Sequence, residues 1–291
     1  MQKHLINLAD GRELEVHTAG TPGPQAIVFH HGTPGSALSW QSWLDVAAAK
    51  GVFAIAYSRP GYGTSARRKG RTIISNSTDI AEVLKHFGVT KTVSIGWSGG
   101  GPHALADTTL AQCVGAITLA GVGEYGVDDL DFLEGMGEEN HVEFGAAIAG
   151  ENQIEKWMQE NSGPMAEVTG EQLIEAFGGL IGDADKAALT GDVAEQMAAE
   201  YRDSLSHGYF GWLDDDLAFV QHWGFEIRNI AKPVELWQGN DDFMVPHAHG
   251  KWLATKIPTA ELIFVPGEGH ISMGQNRKGE IITNAIKMLG A

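Results

Sequence analysis

Gly96-Trp97-Ser98-Gly99-Gly100 stands between a short apolar run (Thr92, Val93, Ile95) and a helix-compatible segment with Pro102 in its first turn. A G-x-S-x-G on a sharp strand-to-helix turn exposes the serine oxygen, and the glycines leave room for a substrate carbonyl beside it. The following helix would point its N–H groups and its positive dipole end at a developing negative charge. Such a serine attacks an acyl carbon only when a base removes its proton. In a chain with 38 glycines the motif alone is weak evidence. A base, an acid and oxyanion donors must be found elsewhere in the chain.

The elements that would position them alternate. His4 to Ala9 and Glu13 to Ala19 read as strands joined at Asp10-Gly11, a hairpin signal. Ala26 to His30, Val52 to Tyr57, the run before Ser98, Ala116 to Ala120, Val234 to Gln238 and Ala260 to Val265 are short buried-strand runs. Helical stretches separate them: Trp40 to Lys50, Asp79 to Phe87, the segment from Ser98 to about Cys113, His247 to Lys256, and Ile271 to Leu289. This predicts an α/β fold, a mostly parallel sheet covered by helices on both faces. Sites in such sheets lie in loops at the carboxyl ends of strands. Those loops hold His31-Gly32-Thr33, Gly61-Tyr62-Gly63, Ser98, Asp241-Asp242 and His270.

The pattern breaks in residues 122–228. Between Gly121 and Asp216 stand 23 acidic and 3 basic residues, against 14 and 17 in the rest of the chain. Large apolar residues (Phe144, Trp157, Phe177, Trp212 among them) are scattered through acidic helical stretches. The expected organisation is a core of residues 1–121 and 229–291 with residues 122–228 as a helical lid over the strand ends. Its carboxylates are expected on the solvent side, because an unpaired buried carboxylate is costly.

Composition narrows the function. The formal charge of −17 argues against nucleic-acid and anionic-membrane partners. The sequence has no membrane-spanning apolar run and no secretory h-region at its start. With a single cysteine, Cys113, expected as a small core residue at the end of the helix after Ser98, the chain fits a reducing cytoplasm. No feature of the sequence fixes an oligomeric state. His30 and His31 lack metal-ligand spacing around them, so no metal is expected. His247 and His249 are read as surface residues, and His103 as helix packing or surface. Gly121-Val122-Gly123-Glu124-Tyr125-Gly126 spells G-x-G-x-x-G, but Asp128 and Asp129 follow where a pyrophosphate needs positive charge, so no dinucleotide is expected.

Four separated motifs, HHGTPGS, GWSGGG, GNDDFMVP and GEGH, stand in the order and strand-end positions of the α/β-hydrolase superfamily, which the chain resembles over nearly its whole length. The resemblance implies Ser98 as nucleophile, His270 as general base and acid, and Asp242 as the group that orients the imidazole. Asp241 is the adjacent competitor for the acid, and a carboxylate near Glu124 a more distant one. The oxyanion hole would be the backbone N–H groups of Thr33 and Gly99. His31 and Trp97 are candidates to contact the substrate, His31 alternatively bracing the oxyanion loop and Trp97 alternatively packing the strand end. The implied activity is cleavage of small-molecule carboxylic esters of small or medium apolar acyl or alkyl groups, with no cofactor. HGTPG also resembles the HGGPG of proline iminopeptidases, which makes an aminopeptidase the first alternative, although GWSGGG lacks that group's Trp after the serine. Carbon–carbon bond hydrolases or lyases and a non-catalytic binding protein on the same fold are the others. An aspartate-nucleophile hydrolase is excluded by Ser98.

Overall fold

The computed structural model describes residues 1–290, and the short apolar runs form one eight-stranded sheet. Its strands are β1 (Gln2–Asn7), β2 (Glu13–Ala19), β3 (Gln25–His30), β4 (Phe53–Tyr57), β5 (Lys91–Trp97), β6 (Cys113–Leu119), β7 (Val234–Gly239) and β8 (Ala260–Val265). They lie in the order β1-β2-β4-β3-β5-β6-β7-β8. The β1–β2 hairpin and the β2–β4 pair are antiparallel, and the pairings from β4 through β8 are parallel. The hairpin turns at Gly11, where a φ of 86° suits glycine.

Side chains alternate across the sheet, so each register row belongs to one face. Phe29, Ile95 and Ile117 form one row. They pack with Ile27 and Val93 against α1 (Gln41–Ala49) and α11 (Ser272–Leu289). Val28, Ser94, Ala116 and Val234 form the next row, on the opposite face. That face is covered by α2 (Ser75–Phe87), α3 (Gly100–Ala106) and α10 (His247–Lys256). Both faces are therefore buried, as the near-continuous apolar strands require.

Two helix limits differ from those expected. α2 begins at Ser75 rather than Asp79, because Ser75 Oγ accepts the Thr72 N–H at 2.9 Å and Asp79 is buried in a two-pronged pair with Arg12 at 3.0 and 2.6 Å. α3 ends early. The chain is pinned at buried Asp107, which accepts from Ser77 (2.9 Å) and Ser94 (2.7 Å) and pairs with His30 Nε2 (2.9 Å). Cys113 consequently opens β6 instead of ending the helix; it is buried, and burial pushes its thiol up to about 12.

Between β6 and β7 run six helices: α4 (Glu138–Ala149), α5 (Glu151–Ala166), α6 (Gly170–Ala176), α7 (Asp183–Ala188), α8 (Gly191–Ser204) and α9 (Phe210–Phe219). They bury two small cores of their own. One, around Leu173, Phe177 and Met197, takes in Ile271; the other, around Ile154, Met158 and Trp212, takes in Tyr62. The expectation that the acids here face solvent fails for Asp185, Glu200, Asp214, Asp215 and Asp216, all buried. Arginines of the loop after β4 account for two of them: Arg67 forks onto Asp214 at 2.9 Å through both Nε and Nη2, and Arg59 and Arg71 both reach Asp215. Among the described residues no helix is long and apolar enough to cross a membrane.

Candidate active site

Ser98 directly follows β5, in the left-handed region at φ 55°, and its N–H donates to Leu119 O at 2.8 Å. A non-glycine residue at such an angle is strained and is kept there by its surroundings. The flanking glycines are sterically required. A Cβ at Gly96 would lie 2.1 Å from Gly100 O, and one at Gly100 would lie 2.1 Å from His30 O.

Asp242 and His270 come from the loops after β7 and β8. Asp242 Oδ1 accepts the N–H groups of Met244 (3.0 Å) and Val245 (2.8 Å), which aims Oδ2 at His270 Nδ1, 2.9 Å away. With Nδ1–H donating to this carboxylate, Nε2 is left as the basic nitrogen. Burial, the largest influence on His270, works against the imidazolium, but the Asp242 charge and hydrogen bond, with the Asp185 charge, outweigh it and raise the pKa above the ordinary value. The competing acids are occupied elsewhere. Asp241 Oδ2 accepts the Ala184 N–H at 2.9 Å, and Glu124 accepts the Trp223 N–H at 3.5 Å. Asp242 and His270 are thus joined, whereas no hydrogen bond joins Ser98 to His270 among the described residues.

Thr33, Pro34, Ser98 and Gly99 line one cavity of about 240 Å³. Gly99 lies close against the loop after β3: an added Cβ would sit 2.5 Å from Thr33 Oγ1. Neither the Thr33 nor the Gly99 N–H donates to another group among the described residues. The Thr33 loop is held from behind by a buried network that the sequence did not reveal. Arg59 donates to His31 O, to Gly32 O at 2.7 Å and to Thr33 Oγ1 at 3.0 Å, while Asp215 accepts from Arg59, Arg71, Tyr62 and Thr33. Burial alone would push Asp215 up; the Arg59 and Arg71 charges outweigh it and hold the carboxyl well below its usual range. With the loop's carbonyls turned to Arg59, its remaining donors are free to face the cavity.

His31 and Trp97, expected at the substrate, are not among the residues lining this cavity. His31 braces the loop: Nδ1–H donates to Gly32 O at 2.7 Å and Nε2 accepts the Arg59 N–H at 3.0 Å. That arrangement needs the neutral ring, and burial and then the Arg59 charge keep its pKa well below the ordinary value. The Trp97 indole instead packs against the His270 ring, centroids 5.2 Å apart, and donates to His270 O at 3.2 Å. His30, directed to Asp107 and Tyr57, shares no partner with His31, and no metal-ligand cluster occurs among the described residues. His249 corrects the surface assignment. It is buried, accepting the Gly123 N–H at 2.9 Å and donating to Phe132 O at 3.0 Å.

Two acids that the solvent-side expectation placed outside, Glu143 of α4 and Asp216 of α9, line the Ser98 cavity, together with the exposed Glu139 and with Phe144, Trp157, Trp212 and Phe219. A third such acid, Asp185 of α7, takes the N–H groups of His270, Ile271 and Ser272 at 2.9, 2.9 and 2.8 Å, so the turn bearing His270 is fixed by a helix lying between β6 and β7.

Residues 25–276 match the family model described as alpha/beta hydrolase fold, and the chain belongs to that family. A non-heme haloperoxidase of Rhodococcus erythropolis is 26% identical over 273 residues, covering 91% of this chain and 92% of the relative. A bifunctional esterase/perhydrolase of Acinetobacter calcoaceticus is 24% identical over 272 residues, with the same coverage. Among solved structures, an esterase from Exiguobacterium antarcticum superposes with a TM-score of 0.72 at 17% identity, covering all of both chains. At that identity the likeness speaks for the fold alone. The protein is an α/β hydrolase.

Proposed function

We propose that the protein is a serine hydrolase that cleaves carboxylic esters of small or medium apolar acyl or alkyl groups through an acyl-enzyme. One observation carries the reading: a left-handed Ser98 opens on a largely apolar-walled cavity while the loops after β7 and β8 hold His270 in the Nδ1–H tautomer against Asp242. Ser98 Oγ attacks the acyl carbon as His270 Nε2 takes its proton. Asp242 stabilises the imidazolium, and the N–H groups of Thr33 and Gly99 receive the oxyanion. His270 then protonates the departing alcohol and activates the water that releases the acid. The reading requires His270 to come within hydrogen-bond reach of Ser98 when substrate binds; such bonds are often long in unliganded enzymes. The helices between β6 and β7 act as the lid, supplying Phe144, Trp157 and Trp212 to the acyl pocket. The chemistry needs no cofactor, and we place the protein in the cytoplasm.

The test is a panel of p-nitrophenyl esters together with fluorophosphonate labelling. Wild-type protein is expected to turn over the esters and to be labelled once, and Ser98→Ala to lose both while keeping its circular dichroism and melting behaviour. Labelling that persists in Ser98→Ala, or wild-type protein that neither labels nor turns over, overturns the reading.

A further inference from the structure

Three carboxyl side chains line the Ser98 cavity, the exposed Glu139 and the more enclosed Glu143 and Asp216, and acyl transfer makes no use of the last two. Asp216 is fully buried, and neither of its oxygens has a hydrogen-bond donor among the described residues. Its polar neighbour is Glu143, and two carboxyls bond to each other only through a retained proton. Glu143 accepts from Trp212 Nε1 at 2.7 Å. Burial first, and then the neighbouring charge of Glu143, push Asp216 well above the ordinary carboxyl range, and burial pushes Glu143 up to about 7.

The contrast with Asp215 is informative. Arg59 and Arg71 both bond to that carboxylate, one residue away, and no arginine or lysine lines the cavity. A second buried acid beside them is left without a bonded counter-charge, which is costly unless something compensates. Aromatic rings line the same cavity as the pair. Trp157 and Trp212 meet edge to face with centroids 5.3 Å apart, and Phe144, Tyr201 and Phe219 also line the cavity. Carboxyl oxygens and aromatic faces together form an environment that favours a cation.

We propose that the Glu143–Asp216 pair receives a protonated amine of the substrate, so that among the esters of the proposed class those whose otherwise apolar acyl or alkyl group carries an ammonium are preferred. The bond cleaved rests on the serine-hydrolase reading; the cation site does not. In the free protein the pair retains one proton. An arriving ammonium replaces it: the proton leaves to solvent, and the ligand's N–H groups supply the donors that Asp216 lacks.

The test compares hexylammonium chloride with 1-hexanol by titration calorimetry at neutral pH, in two buffers of different ionisation enthalpy. Hexylammonium is expected to bind roughly tenfold or more tightly than the isosteric alcohol, with release of a proton. Asp216→Asn and, separately, Glu143→Gln are expected to remove most of that preference. Equal affinity for alcohol and ammonium in the wild-type protein overturns the proposal without recourse to any variant, and so does a preference that both folded variants retain. Fluorophosphonate labelling of the same samples keeps the two readings apart. Labelling without ammonium preference rejects the cation site alone; ammonium preference without labelling rejects the serine nucleophile alone.

Discussion

Asp185 is expected to hold the general base in place from outside the cavity, and its replacement has two separable effects. Its carboxylate is the shared acceptor of three successive N–H groups, with Oδ2 on His270 and Oδ1 on Ile271 and Ser272, at the N-terminus of α11. Asp185→Asn keeps one acceptor oxygen but turns an amide donor toward at least one N–H. One buried donor left unsatisfied costs about 1–3 kcal/mol, and loss of negative charge at a helix N-terminus adds up to about 1–2 kcal/mol. A destabilisation of roughly 2–4 kcal/mol should appear in urea unfolding. The second effect is electrostatic. The Asp185 charge helps to raise the His270 pKa, so its removal lowers that pKa. Because the neutral imidazole is the base, the rising acid limb of the pH profile of kcat/KM moves to lower pH. Misplacement of His270 should also lower kcat about ten- to hundredfold, with little change in KM, since Asp185 does not line the cavity. Ester hydrolysis across pH, set beside unfolding of the same protein, separates the two effects. A variant that is destabilised but keeps both the wild-type acid limb and the wild-type kcat would show that α7 does not position the base.

The two adjacent aspartates should rank sharply. Asp242→Asn is expected to lower kcat by roughly 10³–10⁴ by stabilising the wrong tautomer, and Asp241→Asn, which loses only its contact to the start of α7, by far less; the opposite ranking would move the acid by one residue. Burial pushes Glu200 of α8 up to about 7, so the folded protein keeps a proton there that the unfolded chain releases above about 4.5. The folded state binds more protons in that window, and stability therefore falls as pH rises through it, by up to roughly 3 kcal/mol from this group. Glu200→Gln should flatten the decline in unfolding free energy between mildly acidic and mildly basic buffer; an unchanged slope would place the titration elsewhere.

The parts of the site legible in the sequence are those whose geometry is local. Ser98 with its glycines, His31-Gly32-Thr33, Asp242 with Val245, and Gly269-His270 each sit in one tight turn at a strand end, where turn chemistry constrains neighbouring residues. What escaped depends on partners distant in sequence. Arg12 on Asp79 and the His30–Ser77–Ser94 set on Asp107 decide where α2 starts and α3 stops, and propensity carries no trace of them. Trp97 stood beside the serine in the sequence, yet its ring was claimed by His270, 173 residues away. Asp214-Asp215-Asp216 shows the limit most directly. Successive helix residues point about 100° apart. Three identical letters therefore meet the Arg67 fork, the Arg59–Arg71 pair and the Ser98 cavity in turn. The segmental charge count divided the chain into an acidic region and a near-neutral remainder, but four arginines of the loop spanning 58–71 lie within that remainder. Three of them bond to this helix, so the two regions form one electrostatic system. Asp216 is the carboxylate in that triplet that no arginine reaches, and that exception, invisible to counting, puts a buried carboxyl without a hydrogen-bond partner into the wall of the Ser98 cavity.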